Sequence, residues 1–339
     1  MPIITKTNYT KPPRFQFNGQ IQTIWPAVFR KIKGVEYQRE RLELEDGDFV
    51  DLDWLERSCP PSGLKSKRLV ILTHGLEGNS GRHYILGAAK FFYQKGWDAL
   101  AWNCRSCSGE MNRKLRMYNH GEIEDIGAVI HHAIETRQYE EIILLGYSMG
   151  GSISLKYLGV NAATLPAAIK GAIAFSAPCD LRASAEALNE SSNWLYRKMF
   201  TQRLMKKFAI KDQLFPGVIN LDNIKKVKIW KDFDEYFSAP INGYKNADEF
   251  YEQASAKNFM QNINVPCLLV NALNDPIIPL SCSPVEMAKE HEYIHLEMPK
   301  QGGHVGFGIG SEEFSWMEYR AYEFIESHIN ISKLLAKSE

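Results

Sequence analysis

A short strand that passes directly into a helix through Gly-Tyr-Ser-Met-Gly-Gly constrains this fold more than any other feature. Ile142–Leu145 is an apolar run typical of a buried strand, and the residues after Gly150 are compatible with a helix. In so tight a turn, strand and helix pass too closely for side chains two residues before and two residues after the apex. Gly146 and Gly150 satisfy this requirement. The sequence therefore predicts that Ser148 stands clear of its neighbours at the apex, where it is a candidate nucleophile.

Short apolar runs alternate with helical patterns along most of the chain, after two strands that flank the turn signal Asp46-Gly47. This alternation predicts an α/β fold, with a mostly parallel central sheet and helices on both of its faces. The later strands are predicted at Leu69–Thr73, Asp98–Asn103, Ile142–Leu145, Ala172–Ser176, Cys267–Val270 and Tyr293–Leu296. The helices are predicted at Arg82–Gln94, Ile123–Thr136, Gly150–Leu158 and about Glu312–Leu335.

One interval interrupts the alternation. About ninety residues, rich in aromatic side chains, separate the strands predicted at Ala172–Ser176 and Cys267–Val270, far more than a strand-to-helix crossover needs. We predict an insertion of helices and loops at about 181–262, near the site. It would belong to a single domain, 1–339, that begins with a polar arm at 1–34.

The composition excludes several classes of function. Lys+Arg and Asp+Glu both number 40, so the formal net charge is zero and no basic footprint for nucleic acid is present. No apolar run is long enough for a membrane span, and no secretory signal is evident. Six scattered cysteines fit a reduced, cytoplasmic protein. Cys104 and Cys107 are interpreted as small semi-buried residues, so we expect no metal and no cofactor.

A serine nucleophile needs a base and a carboxylate that orients the base. Among nine histidines, His304 lies in a glycine-rich loop after the last predicted strand, where its ring can reach Ser148. The candidate carboxylate is Asp275, in LNDPIIP just past the strand Cys267–Val270, with Asp180 as the alternative. The chain order Ser148, Asp275, His304 is the one expected when the nucleophile stands on a strand-to-helix turn.

The oxyanion formed during acyl transfer needs hydrogen-bond donors. The amide that follows the serine, at Met149, is one candidate donor. A second amide is expected from the loop HGLEG after the strand Leu69–Thr73, and Leu76 is the predicted residue.

Several further motifs resemble one branch of the α/β-hydrolases, the YheT-type esterase/lipase family. It includes yeast medium-chain fatty-acid ethyl ester synthase/esterases and animal abhydrolase-domain lipases. The resemblance covers nearly the whole chain and is carried by FNGQIQTIWP, DGDFVDLDW, HGLEGNS, NCRSCSGEMNRKLRMYNHG, GYSMGG, FDEYFSAPINGYKNADEFY, LNDPIIP and GGHVGF. It implies an α/β-hydrolase fold, with the nucleophile, acid and base at Ser148, Asp275 and His304. Gln20 stands where the family often has histidine, and Ser106 where it usually has glycine, which leaves the role of the 103–121 loop open.

The resemblance implies a serine hydrolase that cleaves carboxylic esters of short- or medium-chain fatty acids. Alternatives that use the same site are an acyltransferase with an alcohol acceptor, a thioesterase and a peptidase. A non-catalytic binding protein is a further alternative, which the complete set of three residues disfavours. The basic amphipathic segment Trp194–Phe208 is expected to pack on the sheet, and peripheral contact with an anionic membrane is the alternative.

Overall fold

The computed structural model describes residues 3–9, 11–57, 66–310 and 313–329. Within them one sheet has nine strands: β1 (Ile3–Ile4), β2 (Gln38–Glu43), β3 (Phe49–Leu55), β4 (Arg68–Thr73), β5 (Asp98–Asn103), β6 (Glu141–Tyr147), β7 (Ile169–Phe175), β8 (Cys267–Val270) and β9 (Ile294–Glu297). Their spatial order is β1-β9-β8-β7-β6-β4-β5-β3-β2. β3 is antiparallel to both of its neighbours, β2 and β5, and the other strand pairs are parallel. The predicted α/β class and mostly parallel sheet are confirmed.

Helices cover the sheet on both sides. Outside the insertion they are α1 (Gly19–Phe29), α2 (His83–Gln94), α3 (Glu124–Arg137), α4 (Met149–Val160), α10 (Val285–Glu290) and α11 (Trp316–Phe324), which continues as a π-helical turn to Ile329. The sheet is apolar on both faces because it is buried on both: the β6 residues 142 to 145 are fully inaccessible to solvent.

The last helix begins later than predicted. Glu313 and Phe314 are not helical, and the helix starts at Trp316. Ser315 is the N-cap residue, and its hydroxyl accepts from the amide of Met317 while Glu318 bonds back to the Ser315 amide. This capping box sets the start of the helix. Residues 311–312 and the predicted end at 330–335 lie outside the described residues.

The long interval between β7 and β8 forms helices and short turns. Its helices are α5 (Leu181–Leu188), α6 (Trp194–Leu214), α7 (Trp230–Phe233), α8 (Ala239–Ile241) and α9 (Ala247–Ala254), with a π-helical turn at Asp234–Ser238. Aromatic rings pack against one another at centroid distances of 5.1 Å for Trp230 and Phe233 and 5.2 Å for Phe208 and Phe237. These residues belong to the same apolar core cluster as residues of the central strands.

The segment Trp194–Phe208 is the first part of α6. Its apolar stripe packs inward, since Tyr196, Leu204 and Phe208 are buried. Within the described residues, no helix combines the length and the apolar character that a membrane crossing requires.

Candidate active site

The strands β4, β6, β8 and β9 run parallel, so the loops that follow them lie at one edge of the sheet. Leu76, Ser148, Asp275 and His304 lie in or directly after those four loops. Residues from distant parts of the sequence are thereby brought to one place.

Ser148 occupies the turn between β6 and α4 in a strained conformation, with φ of 52° and ψ of −122°. A side chain is sterically excluded on both sides of the turn. A Cβ on Gly146 would lie 2.3 Å from the carbonyl oxygen of Gly150, and one on Gly150 would lie 2.2 Å from the carbonyl oxygen of Thr73. The two glycines therefore allow the close approach that lifts the Ser148 hydroxyl away from its neighbours.

His304 contacts both of the other predicted residues. Its Nε2 lies 2.9 Å from Ser148 Oγ, and its Nδ1 lies 2.9 Å from Asp275 Oδ2. The Asp275 side chain is fully buried, and its Oδ1 accepts from the amides of Ile277 at 2.8 Å and Ile278 at 3.0 Å. With the Nδ1 proton donated to Asp275, Nε2 is free to accept from the serine hydroxyl.

The alternative carboxylate lies elsewhere. Asp180 is the N-cap residue of α5, where its side chain accepts from the amide of Ala183. It also pairs with Lys257. The structure thus brings Asp275, and not Asp180, to His304.

The loop that carries His304 is held by the N-terminal arm, a contact that the sequence did not predict. Thr23 Oγ1 accepts from the His304 amide at 2.8 Å, and Gln22 Oε1 accepts from the Gly302 amide at 2.8 Å. Ser176, at the end of β7, accepts from the amide of Val305 at 3.0 Å. The one available signal was the motif FNGQIQTIWP, whose polar residues interrupt an apolar pattern.

The loop after β4 lies directly against the serine. A Cβ on Gly75 would be 3.0 Å from Ser148 Cβ, so the backbone leading to Leu76 passes close to the nucleophile. Glu77 has a positive φ of 55°, and its carboxylate accepts from Tyr118 and pairs with Lys207 at 2.7 Å. Met149 is the first residue of α4, so its amide has no partner inside the helix.

The 103–121 loop, whose role the sequence left open, lines the site at one end. A buried ion-pair cluster holds its start, because Arg105 binds Asp125 at 2.7 and 2.8 Å and Asp48 at 2.9 Å. Its last residues, 117–120, line a pocket that opens at Ser148. Burial lowers the pKa of His120 to about 4, so this ring is neutral. Cys104 and Cys107 are buried in the same loop, deeper than predicted.

The pocket leads from Ser148 and His304 into the insertion. Its walls are mainly apolar and come from α5, α6 and the turns that follow them, with Leu188, Leu204, Phe208 and Trp230 as examples, and from Ile278 in the loop after β8. The enclosed space is narrow, about 80 Å³. Asp234 is the acidic residue that lines it, and burial raises the pKa of this carboxyl to about 6.

Several known proteins are similar to this chain in sequence or in fold. YheT of Escherichia coli, named as an esterase, is 32% identical over 328 residues, which cover 94% of this chain and 93% of that protein. Human phospholipase ABHD3 is 27% identical over 333 residues, covering 97% of this chain and 80% of the phospholipase. The solved structure of Pyrococcus furiosus esterase Pf2001 superposes with a TM-score of 0.56 at 17% identity, covering 96% of this chain and all of that one.

A family model described as "Serine aminopeptidase, S33" matches residues 65–296, from before β4 into β9. The match spans the elbow, the insertion and the strand that precedes His304. Together with the full-length similarity to YheT, it shows that this chain belongs to the α/β-hydrolase superfamily, in its YheT-type esterase/lipase family.

Proposed function

We propose that this chain hydrolyses carboxylic esters of short- or medium-chain fatty acids through an acyl-enzyme on Ser148. The observation that carries the proposal is the continuous set of contacts from Asp275 through His304 to Ser148, at 2.9 Å for each step. These contacts lie at the mouth of an apolar pocket.

In the first step Ser148 Oγ attacks the acyl carbonyl carbon while His304 Nε2 accepts the hydroxyl proton. The negative charge of Asp275 stabilises the imidazolium. The tetrahedral intermediate then collapses, the C–O bond to the alcohol breaks, and His304 returns its proton to the departing oxygen. Water repeats the sequence on the acyl-enzyme and releases the acid with the enzyme regenerated.

The oxyanion of each tetrahedral intermediate is assigned to the amides of Met149 and Leu76. The first lies at the N-terminus of α4, where the helix dipole adds a partial positive charge. The second follows Gly75, whose backbone lies against Ser148. The contacts of Glu77 with Lys207 and Tyr118 would hold this loop in place before substrate binds.

The size of the pocket supports a short or medium acyl chain. A water-sized group needs about 10–15 Å³ of this kind of space. The cavity of about 80 Å³ therefore accepts roughly five to eight such groups.

A peptidase is the second candidate, favoured by the description of the matched family model. An aminopeptidase has to hold the α-ammonium of its substrate beside an available carboxylate. Asp234 does not suit this role, because it already accepts from Tyr251 at 2.7 Å, and the burial that raises its pKa to about 6 makes its charged form costly. Glu77, near the nucleophile, is paired with Lys207. The arrangement of charges thus supports an ester substrate.

The test is a panel of p-nitrophenyl esters of increasing chain length, measured beside acyl-CoA thioesters and amino-acid p-nitroanilides. We expect the highest kcat/KM for an ester of intermediate chain length. Greater activity on acyl-CoA or on an anilide would overturn the esterase assignment. Adding an alcohol to the ester assay and quantifying new ester against free acid measures how far acyl transfer competes with hydrolysis.

A fluorophosphonate probe distinguishes a serine hydrolase from a non-catalytic binding protein. Labelling should be lost in Ser148→Ala and retained in Ser154→Ala, a control farther along α4 whose hydroxyl bonds to the Gly150 carbonyl. Labelling that persists in Ser148→Ala would exclude this serine as the nucleophile.

We further propose that the chain is one domain. Residues of the insertion and of the central strands share a core cluster, which includes Phe208 and Phe233 beside Leu144 and Ala172. A single cooperative urea transition followed by tryptophan fluorescence and by circular dichroism is the expected result. Two separable transitions would contradict it.

A further inference from the structure

The N-terminal arm exposes a group of large apolar side chains. Phe17, Val28 and Phe29 are 73%, 57% and 57% exposed. Trp25 joins this surface, with its ring 4.2 Å from that of Phe29 and 4.6 Å from that of Phe15. Contiguous exposed aromatic side chains are unfavourable in water unless a partner covers them. We call the surface formed by Phe15, Phe17, Trp25, Val28 and Phe29 the aromatic arm face.

The same segment is strongly basic. Residues 1–35 contain six lysines and arginines and no aspartate or glutamate, in a chain that has 40 residues of each sign. Lys11, Arg14, Lys31 and Lys33 are exposed, and none of them forms an ion pair with the described part of the chain. Arg30 differs, because it binds the buried Glu318 at 2.7 Å. Four uncompensated positive charges thus flank the aromatic arm face.

We propose that the aromatic arm face docks on the surface of an anionic lipid bilayer. Aromatic and aliphatic side chains beside lysine and arginine are the combination that enters the headgroup region while pairing with lipid charge. A symmetric contact between two copies through this face would bring the same four cations together, which is unfavourable. A nucleic acid would leave Val28, the aliphatic residue of the face, without a matching partner.

The start of α1 lies beside the first turn of α6. Gln20 Nε2 donates to Asn193 Oδ1 at 2.9 Å, which brings α1 beside Trp194 and Leu195. Those two side chains are 56% and 45% exposed. The membrane contact considered for Trp194–Phe208 is therefore confined to its start, because the stripe that follows is buried in the protein.

Docking here would place the site beside the lipid. The next residues of α1, Gln22 and Thr23, are the ones that bond to the loop carrying His304. A bilayer held on the arm would lie near the pocket mouth and supply esters whose acyl chains are embedded in it. This link to substrate rests on the proposed esterase function, whereas the docking itself does not.

The test is sedimentation of the full chain with sucrose-loaded vesicles of phosphatidylcholine, with and without about a third phosphatidylserine. We expect binding to the anionic vesicles that weakens as salt rises. Three variants are compared with the wild type. The apolar variant removes exposed apolar side chains, the charge variant removes four positive charges, and the control removes four positive charges from the insertion. The apolar variant is Phe17→Ser with Val28→Ser and Phe29→Ser. The charge variant is Lys11→Gln, Arg14→Gln, Lys31→Gln and Lys33→Gln, and the control is Lys225→Gln, Lys226→Gln, Lys228→Gln and Lys245→Gln.

Each basic residue near an anionic surface contributes roughly a fivefold change in affinity. The affinity of the charge variant for anionic vesicles should therefore fall well over tenfold, and that of the apolar variant should fall by a similar amount. The control should bind as the wild type does. The proposal fails if the wild type does not bind anionic vesicles at low salt, or if the control loses as much affinity as the charge variant. It also fails if light scattering shows a wild-type dimer that the apolar variant converts to monomer, since a second copy would then cover the face.

Hydrolysis of a soluble p-nitrophenyl ester is measured in parallel with the same proteins. It should be unchanged in all three variants, since none of the substituted residues touches the site. If the wild type does not hydrolyse the ester, the esterase proposal is refuted, and the vesicle result alone decides the docking proposal.

Discussion

Replacing Asp275 by asparagine should nearly abolish turnover while leaving the fold intact. Asp275 Oδ1 accepts from two amides, those of Ile277 and Ile278, at 2.8 and 3.0 Å. In the asparagine variant only the amide oxygen can take that position, because an NH₂ group would face two donors. The NH₂ group must then point at His304 Nδ1, 2.9 Å from the present Oδ2.

The consequence is the wrong tautomer of the base. His304 Nδ1 has to accept from the new NH₂ group, so its proton moves to Nε2, which can no longer accept from Ser148 Oγ. A change of this kind lowers kcat by about 10⁴-fold, equivalent to about 5.5 kcal/mol in activation free energy. KM should change little, because Asp275 does not line the pocket.

The assay is steady-state hydrolysis of a p-nitrophenyl ester by Asp275→Asn and by the control Asp180→Asn. In the control the new asparagine side chain can still cap α5, and the exposed pairing with Lys257 contributes little, so its activity should stay within about threefold of the wild type. Circular dichroism melts report whether each variant is folded. If Asp275→Asn keeps a kcat within tenfold of the wild type, the tautomer argument is refuted. If Asp180→Asn is folded but inactive, Asp180 and not Asp275 is the carboxylate that orients the base.

Three further results are expected. Gly146→Ala should lower the free energy of unfolding in urea by about 3 kcal/mol, because its Cβ would lie 2.3 Å from a backbone oxygen; Gly81→Ala, whose Cβ meets a flexible side-chain oxygen at 3.3 Å, is the control and should change little. Ser148→Gly should be more stable than Ser148→Ala by about 1 kcal/mol in the same assay, because only glycine relaxes at φ of 52°; equal stabilities would argue against strain. Burial raises the pKa of Asp234 from 3.8 to about 6, so the folded protein holds this proton more tightly than the unfolded chain and stability falls as pH rises through that window. Asp234→Asn should therefore gain on the order of 3 kcal/mol over the wild type at pH 7 and little at pH 4, and a gain of equal size at both values would contradict the assignment.

Much of this site could be predicted because its signals are local. Gly146, Ser148 and Gly150 lie within five residues, and this spacing is the one that the steric requirement of the turn predicts. His304 and Asp275 were selected because each follows a recognisable strand, and parallel strands bring such loops to one edge. The start of the last helix was misplaced, because the capping interaction of Ser315 with Glu318 outweighed the wider periodic pattern.

The sequence by itself determined the class of fold, the turn that presents Ser148 and the order of the residues placed around it. Only the tertiary structure decided that Thr23 and Gln22 hold the His304 loop across 281 and 280 residues of chain, and that Lys207 of α6 pairs with Glu77. It also decided that the stripe of α6 is buried while the aromatic arm face is exposed. The physical reason is that turns and periodicities depend on neighbouring residues, whereas burial and long-range hydrogen bonds depend on how the whole chain packs.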